Sequence, residues 1–193
     1  MSKKLEETRR RILAATVELL ESGRPAAVRM SDIARRAGIT RQAVYLHFAT
    51  RAELLTAAVQ YVDELYDVDA LMAPSRAASG GLERLDAFID GWGAYLPRVY
   101  GIVKGLLAVY DTDEAAAAAW DDRRAAIRHG CDAAVQALRR DGLLRQGPKD
   151  ATDTLWGLLS VELWDFWVRQ AGWSHAKCIS QMKVVARAAI TTA

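Results

Sequence analysis

The chain has 193 residues, about half of them apolar, and a formal net charge of only +2, enough for one ordinary domain or two small ones and silent about a polyanionic partner. No run approaches membrane-spanning length and the first seven residues, Met1-Ser2-Lys3-Lys4-Leu5-Glu6-Glu7, lack an apolar signal core, so a soluble, cytoplasmic protein without membrane contact is expected. The charge is unevenly placed: residues 1–55 hold 11 Lys/Arg against 6 acids, the remainder 15 against 18, which is either ordinary surface charge or a basic head suited to nucleic acid.

Helical periodicity recurs from end to end and no stretch keeps strand-like alternation, so an all-α fold is predicted. The first helix spans about 4–22, with Ile12, Thr16, Leu19 and Leu20 on one face and Gly23 and Pro25 as its stop. Two short helices follow at about 30–37 and 41–47. A longer one, about 51–69, carries Leu54, Leu55, Ala58, Val62, Leu65 and Tyr66 at helical spacing. Residues 74–81, with Pro74, Ser79, Gly80 and Gly81, read as a loop. Leu85, Phe88, Ile89, Trp92 and Leu96 mark a fifth helix, and Pro97 suits the first turn of a sixth with Val99, Val103, Leu106 and Leu107. Asp111-Thr112-Asp113-Glu114 signals the start of a seventh, running through Ile127, Cys131, Val135 and Leu138. The eighth and ninth occupy about 149–170 and 174–191. The expected architecture is therefore nine helices in two domains. A three-helix helix-turn-helix headpiece fills 1–50, and a helical bundle for ligand binding and dimerisation fills 51–193, with 51–69 as the connecting helix.

The eighth helix is apolar nearly all round, and a helix without a polar face needs cover on every side. The same pair of helices from a second copy would supply it as a two-fold four-helix bundle. The candidate homodimer interface is Leu159, Leu163, Phe166 and Trp167 with Cys178, Met182, Val185 and Ala189; the core of a monomeric bundle is the other reading. Cys131 and Cys178 lie far apart on apolar stripes and read as buried thiols. His47, His129 and His175 have no partners at ligand or triad spacing, so no metal, cofactor or catalytic site is expected and an enzyme is set aside.

The informative stretch is Ser31-Asp32-Ile33-Ala34-Arg35-Arg36-Ala37-Gly38-Ile39-Thr40-Arg41-Gln42-Ala43-Val44-Tyr45-Leu46-His47-Phe48. Two helices at a steep angle need a tight turn, which Gly38 permits, and a small residue where they approach, which Ala34 supplies. Ile33, Ile39, Val44 and Phe48 fill the space beneath, and Thr40 can cap the next helix. That leaves Arg41, Gln42 and Ala43 on its first turn, where a recognition helix meets base edges. Arg pairs bidentately with guanine, Gln with adenine, and Ala touches a thymine methyl. Ser31 reads either as a DNA contact from the preceding helix or as an exposed helical serine, and Arg35 and Arg36 read as a solvated face.

This stretch closely resembles the tetracycline-repressor (TetR) family. The resemblance runs through Arg11-Ile12-Leu13-Ala14-Ala15, Gly23, Asp32-Ile33-Ala34, Ala37-Gly38-Ile39-Thr40, Val44-Tyr45-Leu46-His47-Phe48 and Arg51-Ala52-Glu53-Leu54-Leu55. It implies a homodimer whose headpieces enter successive major grooves of a palindromic operator. The eighth and ninth helices would form the interface, and a small molecule between the fifth and eighth would loosen DNA binding. On matching positions Tyr45, His47 and Arg51 would contact phosphate. Arg51 stands where the family usually has Lys. Arg29 and Met30 replace its usual Thr or Ser, leaving the cap of the second helix in question and making Arg29 a further phosphate candidate.

The effector site is less legible. Trp92, Trp120, Trp156 and Trp164 with Tyr95 and Tyr110 fit aromatic walls of a small-molecule site as well as they fit any helical core. Asp90, Glu162 and Asp165 lie in or beside apolar stripes, so each needs a partner if buried, from an Arg or from a cationic effector; an uncharged hydrophobic or aromatic effector fits as well. The competing functional reading is a DNA-binding regulator with no small-molecule effector, controlled by a protein partner.

Overall fold

The computed structural model describes residues 3–22 and 28–192; the expected stop of the first helix at Gly23 and Pro25 lies outside the described residues. Helices account for most of them. They are α1 (Lys3–Glu21), α2 (Met30–Ala37), α3 (Arg41–His47), α4 (Arg51–Leu65), α5 (Val68–Ala77), α6 (Gly81–Leu107) and α7 (Glu114–Arg140). Next comes α8 (Pro148–Leu158), which resumes after Leu159-Ser160 as Val161–Asp165 and ends in a π turn, Phe166–Gln170; α9 is His175–Ile190. Among the described residues the one β element is an isolated antiparallel bridge between Leu144 and Thr191. The all-helical reading holds, and three boundaries differ from it.

The helix expected at 51–69 stops at Leu65. Asp67 adopts a left-handed backbone (φ 48°, ψ 56°) and its carboxylate caps a new helix by accepting from the Ala70 N–H at 3.2 Å. Asp tolerates that conformation better than most residues, because its short side chain bonds the local backbone. The expected loop at 74–81 is thus partly α5, with Pro74 inside it. Arg76 donates back to the Asp69 carbonyl at 2.6 Å, and Ser75 donates to the Arg84 carbonyl at 3.0 Å. The second difference is Pro97, which opens no helix: α6 runs through it for 27 residues. An interior proline costs about 3 kcal/mol. Here Trp92, Leu96, Val99, Ile102 and Val103 are all buried along the same helix, and burial at about 1.5–3 kcal/mol per large side chain outweighs the proline. Third, the eighth helix breaks at Leu159-Ser160, where the Ser160 hydroxyl accepts from the Leu163 N–H at 3.2 Å and starts the next segment.

The chain forms two compact units that do not follow sequence order: Met1–Tyr66 with Val99–Arg124, and Asp67–Arg98 with Ala125–Ala193. In the first, α1 packs against α2 and α4, and α2 against α3, around fully buried Ile12, Ile33, Phe48, Leu54, Leu55 and Leu106. The last turns of α6 lie directly on α1: a Cβ built on Gly105 would stand 2.6 Å from the Leu20 carbonyl oxygen. Only glycine permits that backbone-to-backbone approach. In the second unit Leu85, Ile89, Cys131, Leu138, Leu155, Leu159 and Met182 form the core. Ion pairs stitch its helices together: Lys183 donates to Asp90 at 2.5 Å, Arg187 pairs with Asp86, and Arg128 donates to Asp153 at 2.8 Å.

Candidate nucleic-acid interface

The interface is built on the turn between α2 and α3. Gly38 ends α2 in the left-handed region (φ 66°, ψ 37°), and the Gly38 and Ile39 N–H groups return to the carbonyls of Arg35 and Ala34, the glycine stop expected from sequence. Arg11 reaches across from α1 and donates to the Ala37 carbonyl at 2.6 Å, satisfying one of the open carbonyls of the helix end. Thr40 then starts α3, its hydroxyl accepting from the Ala43 N–H at 3.1 Å. Val44 and Phe48 are wholly buried beneath α3, and the Arg9 guanidinium lies 4.8 Å from the Phe48 ring centroid. A seven-residue helix anchored this way keeps its opposite face outward.

That face carries the residues expected to read DNA. Arg41 and Gln42 are exposed and Ala43 is half-exposed on the first turn, and Ser31 is exposed on α2. Arg41 stacks over the Tyr45 ring at 5.5 Å and donates to its hydroxyl at 3.3 Å, so the two side chains order one another before any ligand arrives. Tyr45 is 42% exposed and His47 half-buried. Leu46 was not among the expected contacts, yet it is 84% exposed. An apolar side chain held out on this helix suits a thymine methyl. Arg35 pairs with Asp32 at 3.2 Å and Arg36 with Glu18, as a solvated face does. The α2 N-terminus has Arg29 at its cap with no side-chain cap bond.

Arg51 differs in kind from the rest. It is the first residue of α4, where a phosphate contact was expected, but its guanidinium turns inward. Nε donates to the Val28 carbonyl at 2.7 Å and Nη1 to Asp113 Oδ1 at 2.6 Å. The cation beside it holds the Asp113 carboxyl below the usual carboxylate range, with the N–H groups of Ala116 and Ala115 adding to the effect against partial burial.

The aromatic residues expected at an effector site do not fall in one unit. Tyr110 and Trp120 belong to the first, Trp92, Tyr95, Trp156 and Trp164 to the second. Trp92, Trp120 and Trp164 are buried, and the Trp164 indole N–H donates to His175 Nδ1 at 3.1 Å. Tyr110 donates to Asp121 at 3.0 Å. Arg128 lies 5.8 Å from the Trp156 ring centroid. Of the three carboxylates, Glu162 is exposed, Asp90 is taken by Lys183, and Asp165 pairs with Arg169 at 3.7 Å. The expected dimer residues also divide. Leu159, Cys178 and Met182 are inside the chain's own core, at 2%, 0% and 0% exposure, so they offer no surface to a second copy. The physical reason is the stripe that α9 turns inward, Cys178, Met182, Ala186 and Ile190 at four-residue spacing. Leu163, Trp167, Val185 and Ala189 are half-exposed, Phe166 is 52% and Val184 57% exposed.

Residues 12–58, the segment that holds this turn, match the family model described as bacterial regulatory proteins, tetR family. Over that segment the chain is similar to the TetR family. Among curated proteins, the transcriptional regulator SrpR of Pseudomonas putida is 44% identical over 52 residues, 27% of this chain and 24% of that protein; the chain spans only about a quarter to a third of the curated relatives it matches. Solved structures share the fold over nearly the whole length. A transcriptional regulator from Saccharomonospora viridis in complex with choline has a TM-score of 0.75 at 17% identity, covering 97% of this chain and 100% of that one. SmeT in complex with triclosan has 0.71 at 21% identity, covering 96% and 92%. The sequence likeness is thus concentrated in the headpiece, and beyond it the likeness is one of fold.

Proposed function

We propose that the protein is a cytoplasmic, sequence-specific DNA-binding transcriptional regulator, a homodimeric repressor that a small hydrophobic or aromatic molecule releases from a palindromic operator. The observation that carries the reading is the outward first turn of α3, where Arg41 and Gln42 stand exposed on a helix capped by Thr40 and fixed from below by Val44 and Phe48. Those side chains suit guanine and adenine edges, Tyr45, His47 and Ser31 the flanking backbone. The half-exposed Leu163 and Trp167 and the exposed Phe166 and Val184 support a second copy as the cover of α8 and α9, since exposed large apolar side chains that cluster on neighbouring helices mark an interface. Two headpieces then meet DNA about 35 Å apart, one turn of duplex. An effector that favours a wrongly spaced state ~100-fold supplies about 2.7 kcal/mol of coupling. Repression is the common mode of the family, and the choline and triclosan complexes of the fold relatives support a small-molecule effector.

The test is selection of bound duplexes from a random pool at fixed salt, with the oligomeric state measured alongside. A palindrome bound by two chains is the expected result, and the enriched duplex then serves to screen small molecules for release. No enrichment by a folded dimer would overturn the reading of α3, and enrichment without any releasing molecule would favour control by a protein partner.

A further inference from the structure

We propose that Asp113 and Arg51 are positioning residues that set the entry of α2, and with it the reading turn of α3, from behind the interface; this rests on the DNA-reading proposal above. Among the described residues α2 starts without a side-chain cap, and the chain entering it is held from outside, by the Arg51 Nε–H on the buried Val28 carbonyl. Arg51 is in turn oriented by Asp113 Oδ1. The same oxygen caps α7, accepting from the N–H groups of Ala115 and Ala116 at 3.1 and 3.2 Å. One carboxylate therefore joins the first turn of α7 to the first turn of α4, and one guanidinium joins both to the chain that enters α2. Since α2 packs on α3, a shift at Val28 is passed to the reading turn.

Two further features support this over a phosphate contact. Arg51 and Asp113 are only 26% and 22% exposed, and for Arg51 to reach a phosphate it would abandon both bonds, leaving a partly buried carboxylate without its cation and the Val28 carbonyl without the guanidinium donor. The planar guanidinium also makes its two bonds in fixed directions, which the point charge of a lysine does not reproduce. At the other end of the same seam Arg123 on α7 pairs with Asp63 on α4, and Gln60 donates to Asp122 at 3.4 Å.

The test compares the full chain with Asp113→Asn, Arg51→Met, Arg51→Lys and the double variant Arg51→Met/Asp113→Asn. Asn retains the capping oxygen of α7 but not the charge. Affinities for the enriched and for a random duplex are measured over a range of salt, well below the melting point, and amide exchange of residues 30–33 is followed without DNA. Asp113→Asn is expected to weaken the enriched duplex about 2- to 30-fold, although removing an acid from a DNA-binding unit would on charge alone strengthen it. Arg51→Lys should lose a similar factor despite keeping its charge, and the double variant should be no weaker than Arg51→Met. The salt slope should stay unchanged in all four, and exchange at 30–33 should rise. Asp63→Asn should lower stability and leave that exchange alone. Tighter binding by Asp113→Asn, with a slope steeper by about 0.9, would show Arg51 freed to a phosphate and overturn the proposal, as would a slope shallower by that amount in Arg51→Met. If wild type enriches no duplex, the DNA-reading proposal fails by itself; unchanged exchange at 30–33 in Asp113→Asn still overturns the pair, and faster exchange still supports it.

Discussion

Two glycines one turn apart on α6 should respond to the same substitution with opposite signs. Gly101→Ala adds a methyl group with its nearest neighbours 3.9 Å away, on Glu21, and gains about 0.8–1.0 kcal/mol of helix propensity. Gly105→Ala gains the same propensity but drives its Cβ to 2.6 Å from the Leu20 carbonyl oxygen and 3.4 Å from the carbonyl carbon. That neighbour is backbone and cannot swing aside, so α1 and α6 must part by most of an ångström across a contact lined by buried Leu20 and Leu106. Overpacking of this kind costs about 1–3 kcal/mol. The two variants should therefore differ by that amount, with Gly101→Ala above wild type and Gly105→Ala at or below it. For a chain of this size a kcal/mol moves the melting point by about 2–4 °C, so thermal unfolding at one fixed protein concentration resolves the pair. Equal melting points for the two variants would refute the close contact of α6 with α1.

Thr40→Ala removes the only side-chain acceptor that the α3 cap uses, a loss of about 1 kcal/mol; exchange of the Ala43 amide should quicken about 5-fold, while Thr40→Ser stays near wild type. Burial pushes the Cys131 thiol up to about 12 and the Cys178 thiol to about 11, so a thiol reagent at pH 8 should leave both untouched in the folded chain and label both in denaturant. Fast labelling of the native protein would contradict their burial. The Asp113 carboxyl is held below its ordinary range when folded, so its contribution is complete above the ordinary carboxylate pKa and is lost as pH falls through the folded value. The stability gap between wild type and Asp113→Asn should stay flat from pH 8 to pH 5 and close below about pH 4; a gap that widens on acidification would contradict the ion pair.

The parts of the fold that were legible in the sequence are those decided by neighbouring residues. Gly38 and Thr40 bound α2 and α3 because a left-handed stop and a hydroxyl cap act over three or four positions, and the acidic run at 111–114 set the start of α7 in the same way. What could not be read depends on distant packing. Pro97 marks a helix start on local rules, yet burial along α6 overrides it. Asp67 shows nothing in the sequence of its left-handed backbone. The inward face of α9 is decided by what it meets in its own unit, which put Cys178 and Met182, expected at the homodimer interface, inside the core. Arg51 sits at a motif position whose meaning changes with an acid 62 residues further along the chain, a separation that no local pattern carries. Leu46 is the reverse case, an apolar residue to which the sequence reading gave no contact and which the short α3 holds outward.

The most direct test of α3 as the reading element is a comparison of the duplex sequences enriched by wild type, by Gln42→Ala and by Tyr45→Phe. Gln42→Ala should relax or change the preferred base at one position of each half-site, with a discrimination loss of about 1–3 kcal/mol there, while Tyr45→Phe should recover the same sequence with weaker binding throughout. An unchanged motif and unchanged affinity for Gln42→Ala would contradict the assignment of the Arg41–Gln42 turn as the face that meets the bases.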